Sequence, residues 1–393
     1  MKGEGRSLSS LYEDACQRIG PFVGKEEHFP VSARIVIQKE VLMNKMLFAL
    51  VAGALLFSCA PKTEMVTVKP EKIVALENIN PADNIGEMCR VTEEGIIHYH
   101  NKAEKVTVYK TGFDGNQSEI VQIAKGKGPG EVNYPMAMRL RGDRFLIYDM
   151  MMRKSVEYRL DGSYIDEQLV QGDVGFAHSF DVTGDKLLFN GSLQTELAIV
   201  DDQGRIEKLI KYKNVQMMPD DGTPFPGGCV RYNAQTNRIV VGYYNAPYRL
   251  TFFDEKGEQI MAKEYKMDRK VQPCVWTLEF GMPFPKGDIM VGGGAMYKKW
   301  FISSPVGGYD IKDGEFVTNE HPLEFYVFDT LTGEKIQVVK IEGLDSLDSG
   351  VVIGTTDDYI FVVATDEALK EKYGLSSDTA LLLLSNPLKG REE

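Results

Sequence analysis

The 393-residue sequence has few basic residues for its acidic content. Lysine and arginine together number 45, against 57 aspartate and glutamate residues, which gives a net charge of -12. Proteins hold a nucleic-acid backbone mainly through lysine and arginine, and the sequence has neither a basic stripe nor an RNA-reading motif. We therefore expect no nucleic-acid partner.

Familiar catalytic motifs are also missing. The chain contains no G-x-S-x-G nucleophile elbow, no H-E-x-x-H helix and no dinucleotide-binding fingerprint. Because no nucleophile-base pair or metal set can be recognised, a binding protein is favoured over an enzyme. We predict that the protein uses no cofactor, and the sequence indicates no catalytic residue.

Cysteine and histidine are scarce, with five of each. If Cys59 carries lipid, as argued below, only Cys89, Cys229 and Cys274 remain after it, too few for a disulfide framework. Their spacing lacks the close pairs of a zinc site, which favours buried free thiols. His98 and His100 share one face of a predicted strand and could be metal ligands, but two residues do not make a site, and no metal is predicted.

Long apolar runs are absent apart from residues 46–57, MLFALVAGALLF. This run is too short for a transmembrane helix, which needs about 20 residues, but it matches the apolar region of a secretory signal peptide. Residues 56–59, LFSC, resemble the lipobox of bacterial lipoproteins, in which the cysteine receives lipid. We predict a signal peptide over residues 43–58, lipidation at Cys59 and a tether over residues 59–65.

This signal predicts a location in the cell envelope, at the outer membrane, with the lipid as the only membrane contact. Residues 1–42 precede the signal and have mixed charge. They indicate either a gene start set too early, with translation beginning at Met43, or a cytoplasmic extension.

A repeated strand-and-turn pattern organises the rest of the chain. Residues 142–168 contain a polar turn, an apolar strand, a loop, a second strand and an Asp-Gly turn into a third, which is typical of one β-propeller blade. Six such units align on turns near residues 94–95, 142–143, 184–185, 236–237, 287–288 and 357–358. Only residues 366–373 have a helical pattern.

These repeats predict an all-β fold, a six-bladed propeller of four-stranded antiparallel blades over residues 66–390. The strand predicted at residues 66–76 has no hairpin partner, so we expect it to close the ring beside residues 379–385 in the last blade. A seven-bladed ring is the alternative, because residues 323–341 could form another blade.

Residues 126–131, GKGPGE, are the most conspicuous short motif. They could form an anion-binding nest, but they lack the GK[ST] ending of a P-loop, which favours a crossing between the first two blades. With the repeats and the lipoprotein signal, this motif resembles the TolB-like six-bladed propeller lipoproteins of Gram-negative bacteria. The resemblance implies the fold and an envelope location, and it carries over no catalytic residues.

Three long insertions, residues 216–228, 268–287 and 295–322, are expected at the faces of the disc, where binding surfaces form. The third contains Tyr297, Trp300 and Phe301, aromatic side chains of the kind enriched at binding hot spots. His178 and Arg231 lie on predicted channel-lining strands and are further candidates for binding a ligand.

We therefore predict an envelope-anchored, non-catalytic propeller that presents one face to a protein or glycan partner. Fold alone does not decide this, because propellers include both enzymes and scaffolds. The alternative is a hydrolase or lyase acting on a sugar or lactone in the channel, through His178 or the pair His98 and His100 with nearby carboxylates.

Overall fold

The computed structural model describes residues 63–79, 85–192, 194–212, 222, 224–267, 269–277, 284–312, 315–318, 321–344, 347 and 349–391. The predicted signal peptide, Cys59 and residues 1–42 lie outside the described residues, as do residues 216–221 and 223 of the first predicted insertion and residues 268 and 278–283 of the second. In the described part of the chain, no helix is long and apolar enough to cross a membrane.

The described residues form an all-β ring of six blades, preceded by a short N-terminal segment. This segment contains β1 (Glu64–Val68), β2 (Pro70–Ala75) and the one-turn helix α1 (Ile85–Met88). Blade 1 consists of β3 (Cys89–Val91), β4 (Gly95–Asn101), β5 (Lys105–Gly112) and β6 (Gln117–Ala124). Blade 2 consists of β7 (Pro135–Arg141), β8 (Arg144–Asp149), β9 (Lys154–Arg159) and β10 (Tyr164–Leu169).

The next two blades repeat this arrangement. Blade 3 consists of β11 (Phe176–Thr183), β12 (Lys186–Ser192), β13 (Thr195–Val200) and β14 (Ile206–Lys211). Blade 4 consists of β15 (Gly228–Asn233), β16 (Arg238–Tyr243), β17 (Tyr248–Phe253) and β18 (Gln259–Tyr265). In each of the first four blades, consecutive strands pair antiparallel.

Blades 5 and 6 are more elaborate. The four main strands of blade 5 are β20 (Phe284–Tyr297), β21 (Trp300–Lys312), β23 (Glu324–Asp329) and β24 (Lys335–Ile341), and it also contains β19 (Val275–Thr277) and β22 (Glu315–Thr318). Blade 6 contains β25 (Ser349–Thr355), β26 (Tyr359–Thr365) and β27 (Thr379–Ser385), with β2 as its fourth strand. Helix α2 (Glu367–Tyr373), capped by Asp366 and Gly374, occupies the predicted helical segment.

Burial along the strands explains why apolar runs form the blades. The central strands β23 and β27 are buried on both faces because each blade packs between two others, whereas the outer strand β10 is mainly half-exposed or exposed. The glycines of the predicted turns before the outer strands adopt φ of 66–91°, which glycine tolerates best. These glycines are Gly115, Gly162, Gly204, Gly257 and Gly333.

The N-terminal segment closes the ring, as predicted. Strand β2 pairs antiparallel with β27, with Val74 opposite Leu381. Strand β1 adds a contact that the sequence did not predict, because it pairs parallel with β24 of blade 5, with Val66 opposite Val339. One short segment therefore joins the two last blades to each other.

Blade 5 differs from its prediction. The turn expected at residues 287–288 lies inside β20, and the first hairpin of the blade turns at residues 298–299 instead. The expected insertion at residues 295–322 consists largely of the paired strands β20, β21 and β22. Residues 323–341 supply the third and fourth strands of this blade, so they are not a seventh blade.

The three cysteines downstream of Cys59 are buried free thiols, as predicted. Burial raises the pKa of Cys89 to about 12, that of Cys229 to about 11 and that of Cys274 to about 12. Because the thiolate is the nucleophilic form, these side chains are packing groups.

Candidate functional site

Helix α1 lies in the axial channel of the ring. It contacts the innermost strands of blades 1, 2, 3, 5 and 6, namely β3, β7, β11, β20 and β25. A Cβ atom built on Gly86 would lie 2.8 Å from Val351 Cγ1 and 3.1 Å from the carbonyl oxygen of Gly292. Glycine at position 86 therefore allows the helix to pack closely against the channel wall.

The carboxylate of Glu87 on α1 is the centre of a buried polar cluster. Its Oε1 atom accepts hydrogen bonds from Arg231 Nη2 at 2.8 Å and from Ser179 Oγ at 3.0 Å. Its Oε2 atom accepts hydrogen bonds from Arg139 Nη2 and, at 3.3 Å, from Arg90 Nη2. The four partners come from the innermost strands of blades 1 to 4, so one side chain that is 1% exposed joins four blades.

Asp181 supplies a second carboxylate beside this group. Its Oδ1 atom lies 3.3 Å from Arg139 Nε, and its Oδ2 atom accepts a hydrogen bond from the backbone N–H of Tyr232 at 2.8 Å. We define the Glu87 cluster by the side chains of Glu87, Arg90, Arg139, Ser179, Asp181 and Arg231.

Burial and neighbouring charges together lower the pKa of one arginine and raise the pKa of another. Burial lowers the pKa of Arg139, and repulsion from Arg231 lowers it further, although Glu87 and Asp181 oppose both effects. Burial alone would also lower the pKa of Arg231, but attraction to Glu87 raises it above its ordinary value. Because a guanidinium group does not deprotonate in proteins, both side chains bind anions and do not transfer protons.

A cavity of about 1070 Å³ opens over the channel at one face of the ring. Arg90, Arg139 and Arg231 form its inner end, and the exposed side chains of Glu93 and Asp143 lie at its rim. The rim consists mainly of turns that connect the first and second strands of the blades. We call this space the channel-mouth cavity.

Comparison with known proteins shows the fold and no family. No family model and no curated protein matches the chain. A solved structure of a DUF4221 family member from Bacteroides vulgatus is 13% identical, with a TM-score of 0.55 over 81% of this chain and 98% of that one. A second solved structure is that of a protein from Bacteroides fragilis whose name describes it as inferred to be exported. It is 12% identical, with a TM-score of 0.47 over 82% of this chain and 99% of that one. At 13% identity, the first likeness shows the propeller fold alone.

The aromatic residues predicted as exposed binding anchors are buried instead. Tyr297 is 6% exposed, Trp300 3% and Phe301 0%. Tyr297 and Trp300 stack with ring centroids 5.9 Å apart across the turn between β20 and β21. The apolar side chains of this segment pack against neighbouring blades because the segment is a hairpin of blade 5, so they form no surface for a partner.

The two predicted channel residues, Arg231 and His178, lie in different places. Arg231 points into the channel, where it belongs to the Glu87 cluster and also donates from Nε to the Gly294 carbonyl at 2.6 Å. His178 lies near the start of β11, at a bulge between Ala177 and Ser179, and does not line the channel-mouth cavity. The sequence identified one of the three arginines of the cluster. The signal for the other two is an arginine within a largely apolar inner strand, Arg90 in β3 and Arg139 in β7.

The pair His98 and His100 lies on β4, the second strand of blade 1, and does not line the channel. His98 is fully buried, with Nε2 3.1 Å from Thr111 Oγ1 and 3.2 Å from Gln117 Nε2. Burial, with a smaller effect of His100, lowers its pKa to about 3. The structure therefore does not place this pair where the alternative channel enzyme needs it.

The low pKa of His98 predicts acid sensitivity. In the unfolded chain histidine takes up a proton below about pH 6.5, whereas folded His98 does so only near pH 3. Its contribution to stability is therefore complete above pH 6.5 and is lost as the pH falls toward 3. We expect His98→Gln to flatten the decline of the melting temperature between pH 6.5 and 4.5. If His100→Gln, at a partly exposed position, flattened it more than His98→Gln, this assignment would be wrong.

The GKGPGE motif crosses from blade 1 to blade 2, and its amides bind carboxylates of the protein itself. The N–H of Gly128 donates to Glu131 Oε2 at 2.7 Å, and that of Gly130 donates to Glu167 Oε2 at 3.1 Å. Buried Lys154 donates to Glu167 Oε2 and to the Gly128 carbonyl, both at 2.8 Å. The crossing therefore serves the fold, since its nest-like donors are already occupied.

One histidine-carboxylate pair was not predicted. His321 Nε2 lies 2.8 Å from Asp288 Oδ1, and the Oδ2 atom of Asp288 accepts the backbone N–H of Gln272 at 2.8 Å. Among the described residues, no group of three or more histidine, cysteine, aspartate or glutamate side chains is arranged to hold a metal ion. Asp288 is buried and anchors two segments, which is a structural role.

Proposed function

We propose that the protein is a non-catalytic binding protein of the cell envelope that captures a protein or glycan partner at the channel-mouth cavity. One observation carries this proposal: a cavity of about 1070 Å³ ends on three arginines whose geometry is set by Glu87 and Asp181. Binding sites for small groups are typically cavities of several hundred Å³ with a few convergent polar groups. Arginines held in this way bind and orient a ligand without general acid-base chemistry.

Export and membrane attachment are the second part of the proposal. They are supported by the signal-like residues 43–58 and by the resemblance to TolB-like lipoproteins. In this proposal, lipid on Cys59 holds the protein at the outer membrane and the propeller presents its cavity to the partner.

Lipidation predicts that radiolabelled palmitate enters the wild-type protein and not Cys59→Ala, because the cysteine thiol is the acceptor. The matched control is Cys89→Ala, which removes a buried thiol within the propeller and should leave labelling unchanged. Equal labelling of Cys59→Ala and the wild type would contradict the anchor and leave the binding proposal intact.

Obstruction of the cavity should abolish partner binding. Glu93 is exposed at the rim, and Glu104 is exposed in the turn at the other end of β4. We expect Glu93→Trp to lose a partner captured from envelope extracts or a glycan array, because the indole fills the mouth, whereas Glu104→Trp retains it. Both substitutions make the same chemical change, so equal binding by both variants would refute the assignment to this cavity. Turnover of a sugar or lactone by the purified protein would refute the non-catalytic assignment.

A further inference from the structure

The Glu87 cluster contains more positive than negative charge. Three guanidinium groups, those of Arg90, Arg139 and Arg231, face the two carboxylates of Glu87 and Asp181. Each arginine is less than 10% exposed. One positive charge is therefore in excess at the inner end of the channel-mouth cavity.

A buried excess charge is unfavourable unless a counter-charge and hydrogen bonds compensate it. Burial and repulsion from Arg231 lower the pKa of Arg139, although Glu87 and Asp181 oppose both effects. All three arginines line the cavity, so a ligand can supply the missing negative charge from that side. A carboxylate suits this position because it accepts charge-assisted hydrogen bonds from guanidinium groups.

The rim of the cavity limits how much negative charge a ligand can carry. Glu93, Glu94, Asp143 and Asp161 line this region, together with one lysine, Lys110, which pairs with Glu94. The Glu94 and Asp143 side chains are 75% and 73% exposed, and the four carboxylates outnumber the lysine, so the rim is negatively charged. A chain with an acidic group on every unit is repelled here, whereas the hydroxyl groups of a sugar can donate hydrogen bonds to the same carboxylates. Thr92, Thr355 and Thr356 also line the cavity and add hydroxyl groups.

We propose that the channel-mouth cavity binds a glycan residue with a single carboxylate, a uronic acid attached to otherwise neutral sugars. Its carboxylate faces the arginines of the Glu87 cluster, and its hydroxyl groups face the acidic rim. This inference rests on the proposed binding function and names the chemistry of the ligand.

The test is calorimetric titration of the purified full chain with matched ligands. One ligand is a disaccharide ending in glucuronic acid, and the other is the same disaccharide ending in glucose. We expect the acid to bind at least about tenfold more tightly, because a charge-assisted hydrogen bond from a guanidinium group to a carboxylate is stronger than one to a neutral hydroxyl. An acetylated aspartyl dipeptide distinguishes the sugar acid from a peptide carboxylate and should bind at least about tenfold more weakly than the glucuronide.

Two variants connect the preference to the charges. Arg139→Met leaves two guanidinium groups and two carboxylates, so it should abolish the preference for the acid. Glu93→Gln removes the rim charge that repels the ligand carboxylate at an exposed position and keeps an amide oxygen that can accept a hydrogen bond from a sugar hydroxyl. It should therefore tighten glucuronide binding about two- to threefold at low salt, whereas Glu104→Gln should not.

Equal affinity for the two disaccharides would overturn this inference, and if that binding remained sensitive to Glu93→Trp, the proposed function would stand. No measurable binding of the glucuronide, or dipeptide binding as tight as that of the glucuronide, would also overturn it. If Arg139→Met failed to fold, the Glu93→Gln comparison would still decide, because unchanged or weaker glucuronide binding in that variant contradicts the charge argument.

Discussion

Glu87→Gln should lower the free energy of unfolding by about 3–5 kcal/mol, because removing one partner of a buried ion pair leaves uncompensated charge in the interior. Glutamine keeps the size of the side chain and a hydrogen-bond acceptor, so the loss of charge is the main change. Three buried guanidinium groups then face only the carboxylate of Asp181. Urea unfolding followed by circular dichroism measures the effect.

Two comparisons test whether charge is the cause. Glu94→Gln removes an exposed carboxylate paired with Lys110 and should barely move the urea midpoint, since exposed ion pairs contribute little. Adding Arg139→Met to Glu87→Gln restores the original charge excess of one, so the double variant should be more stable than Glu87→Gln alone. Equal losses in Glu87→Gln and Glu94→Gln, or a double variant less stable than Glu87→Gln, would contradict the argument.

Val74→Asp should prevent stable closure of the ring. Val74 lies on β2, is 5% exposed and pairs with Leu381. Aspartate at this position places an unpaired carboxylate among the apolar side chains between blades 6 and 1, a change in the class that destabilises proteins by more than about 4 kcal/mol. We expect a large decrease in the thermal transition temperature, measured by circular dichroism.

The control for this prediction lies two residues away on the same strand. Lys72 is exposed, so Lys72→Asp introduces the same side chain without burying it and should leave the thermal transition nearly unchanged. If Val74→Asp melted at the wild-type temperature, β2 would not be needed to hold the ring closed. A similar decrease in both variants would indicate that strand formation, and not burial, is the sensitive property.

The sequence was sufficient to predict most of the ring because its signals are local. Apolar runs such as TALLLLS in β27 are too short for amphipathic helices. In blades 1 to 5, a glycine with positive φ marks the turn before the outer strand. The closing strand was predictable because an apolar strand without a hairpin partner leaves an unpaired edge elsewhere. The strands of blade 5 were harder to predict, because the glycine-rich sequence of the inner strand β20 resembles a turn followed by a strand.

The candidate site was mostly not predictable, because it depends on contacts between distant residues. Glu87 bonds to Arg139, 52 residues away, and to Arg231, 144 residues away. Helix α1 has one turn and so carries no periodic signal. Aromatic side chains were misleading for a different reason: Trp300 serves equally well as a surface anchor or as packing between blades, and only the position of the hairpin decides between the two.

The closing strand also has a consequence for how the chain reaches its folded state. Val74 and Leu381 are paired neighbours separated by 307 positions along the chain. Strand β1 likewise pairs with β24, which lies far along the chain from it. Contacts between such distant segments form slowly because the intervening loop must first be ordered. Among the described strands, the two that are synthesised first are therefore the last to find their partners, and until β24 and β27 have been made they have no native strand with which to pair.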